Sequence, residues 1–184
     1  IAWKAKQNGD KIGGLILSET GLFEAKPRSR QQAVLHWLNG LQQTHNTLPL
    51  DHQSDQTQAQ IDRQFIEACA HLRRVAHPGS LVYLISDFQH LSDLALQHLF
   101  QLQKHCEIVA CWVNDPIEQH LPENIKGQVT ITDGQHIKQL STGTQLNEYH
   151  QVAQNHFKKR KQDITQLNIR WLPICAGLPL HQQL

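Results

Sequence analysis

The chain has 184 residues, of which 39% are hydrophobic and 18% charged, and its formal net charge is +1. This length fits one domain. Because the net charge is small, the chain as a whole does not have the strongly positive electrostatic potential that attracts nucleic acid or an anionic membrane. No apolar run approaches the ~20 residues of a membrane span, and no signal peptide is visible, so we predict a cytoplasmic chain. Because the chain begins with Ile1 and contains no methionine, we interpret it as N-terminally truncated. An upstream membrane anchor remains an alternative for the missing part.

The first part of the chain is predicted to form a hairpin flanked by helices. Residues 1–7 are the end of a helix, residues 11–18 form an apolar strand, and residues 22–26 are its hairpin partner. Apolar side chains then recur at helical spacing over residues 30–43 and, most clearly, over residues 57–76. A long polar loop separates these two helices.

The stretch at residues 80–93 predicts a buried strand, an acidic turn and the start of a helix. Residues 81–85 are an unbroken apolar run, which is typical of a parallel strand covered on both faces. Ser86 and Asp87 then follow at the carboxyl end of the strand, where ligands bind in open α/β sheets. Asp87 is either a chemically active residue or the cap of a turn or of the next helix.

The rest of the chain continues the alternation of strands and helices. Strands are predicted at residues 107–113, 128–132, 136–140 and 169–174, and helices at residues 93–105 and 144–168. The second and third of these strands form a small hairpin about Asp133 and Gly134. The basic run at residues 158–161 is either a solvated helix face or a contact for an acidic patch of a partner.

Strands separated by helices of these lengths predict a three-layer α/β fold with a mostly parallel, doubly wound, Rossmann-like sheet and helices on both faces. Strands 81–85, 107–113 and 169–174 are expected to be parallel neighbours, with strand 11–18 in the same sheet. The residues expected to be buried are Phe65, Leu72, Leu84, Ile85, Val109 and Trp112.

The cysteines and histidines carry no recognisable site. The four cysteines, Cys69, Cys106, Cys111 and Cys175, form no CxxC pair, and we predict free, buried thiols of a reducing compartment. The histidines form no HExxH and no zinc spacing. No Ser or Cys lies in a nucleophile elbow.

Acidic residues end two neighbouring buried strands of the predicted sheet. Asp87 follows one strand and Asp115 the next, and Asp51 and Asp55 lie in the polar loop. Hard cations such as Mg²⁺ take oxygen ligands from such positions. A metal-dependent hydrolase that uses Asp87 and Asp115 is therefore an alternative for the function.

Three segments resemble the bacterial family called domain of unknown function 58. They are LISDF at residues 84–88, the D-P-x-E-x-x-L-P pattern at residues 115–122, and GDKIGGLIL at residues 9–17. Members of that family are von Willebrand factor A-like proteins that are often encoded beside MoxR-type AAA+ ATPases. The resemblance therefore implies a von Willebrand factor A-like domain.

The resemblance also implies a metal-ion-dependent adhesion site at the carboxyl edge of the sheet. In such a site a D-x-S-x-S motif, a threonine and an aspartate hold one divalent cation. Asp87 matches the aspartate and Thr57 is the best match for the threonine, while Ser86, Asp115 and Glu118 belong to the family's motifs. Because D-x-S-x-S is absent here, Mg²⁺ or another divalent cation is expected only in the full-length protein and not tightly bound by this chain.

The resemblance favours a non-enzymatic protein-interaction domain. The implied partner is a protein, a MoxR-type AAA+ ATPase, in complex assembly or maturation, with no nucleic acid involved. The alternatives are the metal-dependent hydrolase and a scaffold that needs no metal.

Overall fold

The computed structural model describes residues 1–29, 31–47, 57–121, 128–132, 137–141 and 144–183. The backbone divides into two compact units, Ile1–Leu72 and Arg73–Leu184, which we describe separately; the single-domain organisation remains a prediction. The mixed α/β class is confirmed. Among the described helices, none has the length and apolar character needed to cross a membrane.

The first unit is an antiparallel hairpin with helices beside it. Its strands pair from Ser18 with Gly21 at the turn to Ile12 with Arg28 at the open end, with an irregularity between Ile12 and Gly14. The elements are α1 (Ala2–Gln7), β1 (Ile12–Ser18), β2 (Gly21–Arg28), α2 (Gln31–Asn46) and α3 (Gln58–Val75), whose last three residues belong to the second unit. This order confirms the predicted hairpin and its flanking helices.

Two glycines allow α2 to approach the hairpin closely. A Cβ atom added to Gly14 in β1 would lie 2.6 Å from Cδ1 of Trp37 and 2.8 Å from its Cε2. A Cβ atom added to Gly40 in α2 would lie 2.5 Å from Cε1 of Phe23. Each glycine therefore lies so close to an aromatic ring that a methyl group in its place would overlap the ring. Val34 of α2 is fully buried.

The second unit is built on a three-stranded parallel sheet. Its elements are β3 (Leu81–Ser86), α4 (Asp93–Gln103), β4 (Glu107–Asn114), α5 (Pro116–Gln119), β5 (Gln128–Thr132), β6 (Ile137–Ser141), α6 (Thr144–Thr165), β7 (Arg170–Cys175) and a final 3-10 turn (Leu180–Gln182). The sheet order is β3-β4-β7, and both pairs are parallel, as predicted. The antiparallel pair β5-β6 confirms the predicted hairpin, whose turn residues Asp133 and Gly134 lie outside the described residues.

The core of this unit contains residues of the central strand β4 and of the helices α4 and α6. Val109 and Trp112 of β4 are buried, as predicted. The Trp112 ring stacks on Phe157 of α6 with centroids 4.4 Å apart and on Trp171 of β7 at 5.5 Å. Aromatic contacts of this kind hold α6 against the strands β4 and β7.

The prediction that strand 11–18 lies in the parallel sheet is wrong. β1 pairs with β2 in a two-stranded sheet of its own. The two strands are joined by a short turn, and a partner so close in sequence is reached with little loss of chain entropy.

The prediction that Ile85 is buried is also wrong, since 59% of its surface is exposed. In the described sheet β3 is an edge strand, and every second residue of it is exposed: Leu81 by 51%, Tyr83 by 36% and Ile85. Leu84, Phe65 and Leu72 are half-buried. An unbroken apolar run therefore did not distinguish β3 from β4, the strand that is paired on both edges.

Candidate functional site at the carboxyl edge of the parallel sheet

The turn after β3 is held by side chains that bond to the main chain. The Phe88 N–H donates to Oγ of Ser86 over 3.0 Å, and the Gln89 N–H donates to Oδ1 of Asp87 over 3.1 Å. Such bonds let Ser and Asp shape a turn. Ser86 and one oxygen of Asp87 are thus structural, while the second oxygen of Asp87 has no partner among the described residues.

Phe88 adopts a left-handed backbone conformation beside Asp87. Its φ is +56°, which costs a residue with a side chain on the order of 1–2 kcal/mol. The ring is almost fully buried, with its centroid 5.9 Å from that of Trp171. Burial of this ring offsets the strain, and it fixes the direction in which the chain leaves the sheet after Asp87.

The turn after β4 is the N-terminus of the short helix α5. Asp115 is the N-cap and accepts the Ile117 N–H over 3.0 Å, and Pro116 occupies the first helical position. The Asp115 N–H lies near the Glu118 carboxylate and lowers its pKa. Asp115 and Glu118 thus occupy the two positions of a capping box, with the Asp115 side chain bonded to the second helical residue in place of the third, so the D-P-x-E pattern has a direct structural role.

The carboxylates of Asp87 and Asp115 act on the Glu118 carboxylate at this edge. Partial burial raises the pKa of Glu118, the negative charges of Asp87 and Asp115 raise it further, and the hydrogen bond from Asp115 and the Arg160 charge oppose the rise. Like charges influence a pKa in this way when they lie near each other. The carboxyl ends of the parallel neighbours β3 and β4 therefore place Asp87 and Asp115 within electrostatic range of Glu118.

Helix α6 supports this edge from one side. The Tyr149 hydroxyl donates to the main-chain oxygen of Glu118 over 3.1 Å, and the Leu121 N–H donates to Nε2 of His150 over 3.0 Å. Leu121, the leucine of the D-P-x-E-x-x-L pattern, is buried in a cluster with Leu146 and Tyr149. The pattern thus ties α5 and the segment after it to α6.

A family model described as "Protein of unknown function DUF58" matches residues 1–163. The chain belongs to this family. The description assigns the DUF58 family no catalytic activity. Searches of curated proteins and of solved structures found no match.

In this DUF58 chain the predicted second ligand, Thr57, is part of another capping box. The Thr57 N–H donates to Oε1 of Gln60 over 2.7 Å, its Oγ1 lies 3.1 Å from the same oxygen, and the Gln60 N–H donates to Oγ1 over 3.4 Å. Thr57 belongs to the first unit and Asp87 to the second, so their pairing at a cation stays a prediction. Asp51 and Asp55 lie outside the described residues.

The described residues do not by themselves fit a divalent cation. Within the described ranges, no three His, Cys, Asp or Glu side chains are placed to hold a metal ion. At Asp87 and Asp115, one carboxylate oxygen of each already accepts a main-chain hydrogen bond. Mg²⁺ prefers six oxygens in an octahedron, and this edge does not supply them.

Sequence reasoning missed Tyr149 and Arg160 as residues of this edge. Tyr149 lies within the predicted helix 144–168, and helical spacing alone does not show that its hydroxyl would find a hydrogen-bond partner. Arg160 belongs to the basic run at residues 158–161, and its charge acts on Glu118, while Lys158, Lys159 and Lys161 are exposed. Arg160 is therefore partly buried, whereas the three lysines of the basic run lie on a solvated face of the helix.

Proposed function

We propose that this DUF58 chain is a non-enzymatic protein-interaction domain of von Willebrand factor A-like, Rossmann-like architecture, with helices on both faces of its sheet. In this proposal it works with a MoxR-type AAA+ ATPase in the assembly or maturation of a complex. The observation that carries the proposal is the convergence of Asp87, Asp115 and Glu118 at the carboxyl edge of β3 and β4. Ligands of open α/β sheets bind at this edge.

The chemistry of the edge suits a cationic group of a partner. Among the described residues, the charges that act on Glu118 are those of Asp87, Asp115 and Arg160, so the local field is negative and favours an approaching Lys or Arg side chain. The capping box and the Tyr149 hydrogen bond fix the main chain around Glu118. A fixed group loses little entropy on binding.

A divalent cation would require ligands from outside the described residues. We keep Mg²⁺, or another divalent cation, as a proposal for the full-length protein, with no tight binding by this chain. The alternative functions, a metal-dependent hydrolase and a metal-free scaffold, become outcomes of the tests below.

A binding assay with a purified MoxR-type ATPase tests the interaction. We expect Asp87→Asn to weaken binding about tenfold, because it removes an ion pair with a Lys or Arg side chain of the partner and lowers the negative charge of the acidic edge. The matched control is Glu107→Gln, which removes an exposed carboxylate at the opposite, amino end of β4 and should leave binding unchanged. Equal affinities for Asp87→Asn and the unaltered chain would refute a role for this edge.

Calorimetry and turnover assays distinguish the metal-dependent interaction domain from the hydrolase and from the metal-free scaffold. We expect Mg²⁺ to bind weakly or not at all to this chain, and to bind the full-length protein in a way that Asp87→Ala abolishes. Tight, stoichiometric Mg²⁺ binding by this chain that survives Asp87→Ala would contradict the site. Phosphoester turnover that disappears with a chelator would favour the hydrolase, and partner binding that is indifferent to a chelator in the full-length protein would favour the scaffold.

A further inference from the structure

The first unit carries an open basic groove between the hairpin and the start of α2. It encloses about 690 Å³. Its charged lining consists of three cations and one carboxylate, Lys11, Lys26, Arg28 and Glu24, and the polar residues Ser29, Gln32 and His36 complete it. All of these residues belong to the first unit, whereas the acidic edge of the parallel sheet belongs to the second.

The three cations of the basic groove have no acidic partner within the described residues. No carboxylate there lies within ion-pair distance of Lys11, Lys26 or Arg28. Glu24 contacts another residue, since its Oε2 lies 2.8 Å from Nε2 of His71. The positive charge of the groove is therefore available to a ligand.

The neighbouring main chain adds to the positive potential. Helix α2 has 16 residues and no acidic residue in its first turn, so the positive end of its dipole is not offset locally. The His36 ring lies against Phe23 with centroids 5.6 Å apart, which limits its freedom. Ser29 and Gln32 offer uncharged hydrogen-bond donors beside the cations.

We propose that the basic groove binds an extended, carboxylate-rich segment of a partner protein. Lys26 and Arg28 are two positions apart on β2, and Lys11 precedes the paired residue Ile12. Two positions of a strand span about 6.6 Å, which is also the spacing of alternate side chains in an extended peptide. The charges are thus distributed along the groove, whereas a single phosphate would need cations that converge on one point.

A labelled peptide in which glutamate alternates with glycine provides the probe. We expect it to bind at low ionic strength and to weaken as salt is added, while the same peptide with glutamine in place of glutamate does not bind. Chemical shifts of the backbone amides should move at Lys26 and Arg28. Inorganic phosphate and a single-stranded oligonucleotide serve as competing probes.

Charge reversal of the basic groove provides the decisive comparison. The double variant Lys26→Glu and Arg28→Glu should bind the glutamate peptide at least about tenfold more weakly. Lys158→Glu with Lys159→Glu, at exposed positions of α6, changes the net charge equally and should have little effect. Circular dichroism checks folding, and Lys26→Gln with Arg28→Gln replaces the first variant if that variant unfolds.

The proposal is overturned by any of three results. They are no binding of the glutamate peptide at low salt, equal losses in the groove and α6 variants, and displacement of the peptide by inorganic phosphate or by the oligonucleotide at a lower concentration than by unlabelled peptide. The groove and the acidic edge lie in different units, so failure here leaves the Asp87 test of the proposed function unaffected, and the reverse also holds.

Discussion

The hydroxyl of Tyr149 in α6 donates a hydrogen bond over 3.1 Å to the main-chain oxygen of Glu118 in α5. The same glutamate closes the capping box with Asp115 through its side chain. One residue therefore connects the long helix α6 with the short helix α5 and with the cap that follows β4. Partial burial raises the pKa of Tyr149, and the charge of Glu118 raises it further, which places the phenol close to that carboxylate as well.

Replacing Tyr149 by phenylalanine should cost about 0.5–1.5 kcal/mol of unfolding free energy, because one hydrogen bond is lost while the ring stays in place. Urea unfolding measures this change. Tyr83→Phe is the control, since no hydrogen bond of the Tyr83 hydroxyl is present among the described residues. Equal losses for the two variants would show that the Tyr149 bond contributes nothing.

Replacing Asp87 by asparagine should lower the pKa of Glu118. Burial would still raise that pKa, but one of the two like charges that raise it would be gone. An NMR titration of the Glu118 carboxyl carbon measures the effect. Glu107→Gln, at the amino end of β4, should leave the titration unchanged, and a Glu118 pKa that ignores the Asp87 substitution would contradict the convergence of the carboxylates.

The raised pKa of Glu118 also predicts how stability depends on pH. Because the folded-state pKa lies above the ordinary value of 4.5, folding favours the protonated carboxyl. The stabilisation is fully present below pH 4.5 and is lost as the pH rises through the folded-state value. Glu118→Gln, which keeps an oxygen for the capping box, should therefore gain stability relative to the unaltered chain at neutral pH but not in acid. Unfolding at both pH values checks the sign.

The cysteines should differ in reactivity according to their burial. Burial raises the pKa of Cys69 to about 12 and also raises the pKa values of Cys106 and Cys111. All four thiols are free, and Cys175 is half-buried. Relative to an ordinary thiol, Cys69 holds about a thousandfold less thiolate at neutral pH, and the thiolate is the reactive form.

Timed alkylation with iodoacetamide, followed by mass spectrometry, measures these reactivities. Cys175 should be modified first and the other three should lag by at least about tenfold. In denaturant all four should react at similar rates, which is the control. Rapid alkylation of Cys69 in the folded chain would contradict its burial.

Adding a methyl group at Gly14 should destabilise the first unit by about 1–3 kcal/mol, because the new Cβ would overlap the ring of Trp37. Gly177→Ala is the matched control. A Cβ at Gly177 would have its nearest neighbours at 3.8 and 3.9 Å, which is ordinary contact, so a change within about 0.5 kcal/mol is expected. Urea unfolding distinguishes the two, and an unchanged midpoint for Gly14→Ala would show that α2 does not rest on the hairpin as described.

The local signals of the sequence were sufficient for most of the elements. The apolar spacing of α3 predicted residues 57–76, and the helix spans Gln58–Val75. The predicted helix at residues 93–105 corresponds to α4 (Asp93–Gln103), where the Ser92 side chain accepts the Ala95 N–H as the N-cap. Spacing and capping act between residues three or four positions apart, so no knowledge of the remaining chain is needed to recognise them.

The sequence by itself also determined that Asp87 and Asp115 lie at the ends of neighbouring parallel strands, because the carboxyl ends of parallel strands share one edge. Only the tertiary structure decided which strand is central. The runs of β3 and β4 are both apolar, yet Ile85 is exposed and Val109 is buried, since burial of a strand depends on what pairs with it and covers it. Likewise, the approach of Glu118, Tyr149 and Arg160 to one another joins residues far apart in the chain. Their proximity depends on how α6 packs against α5 and β7, and long-range packing of this kind leaves no periodic signal in the sequence.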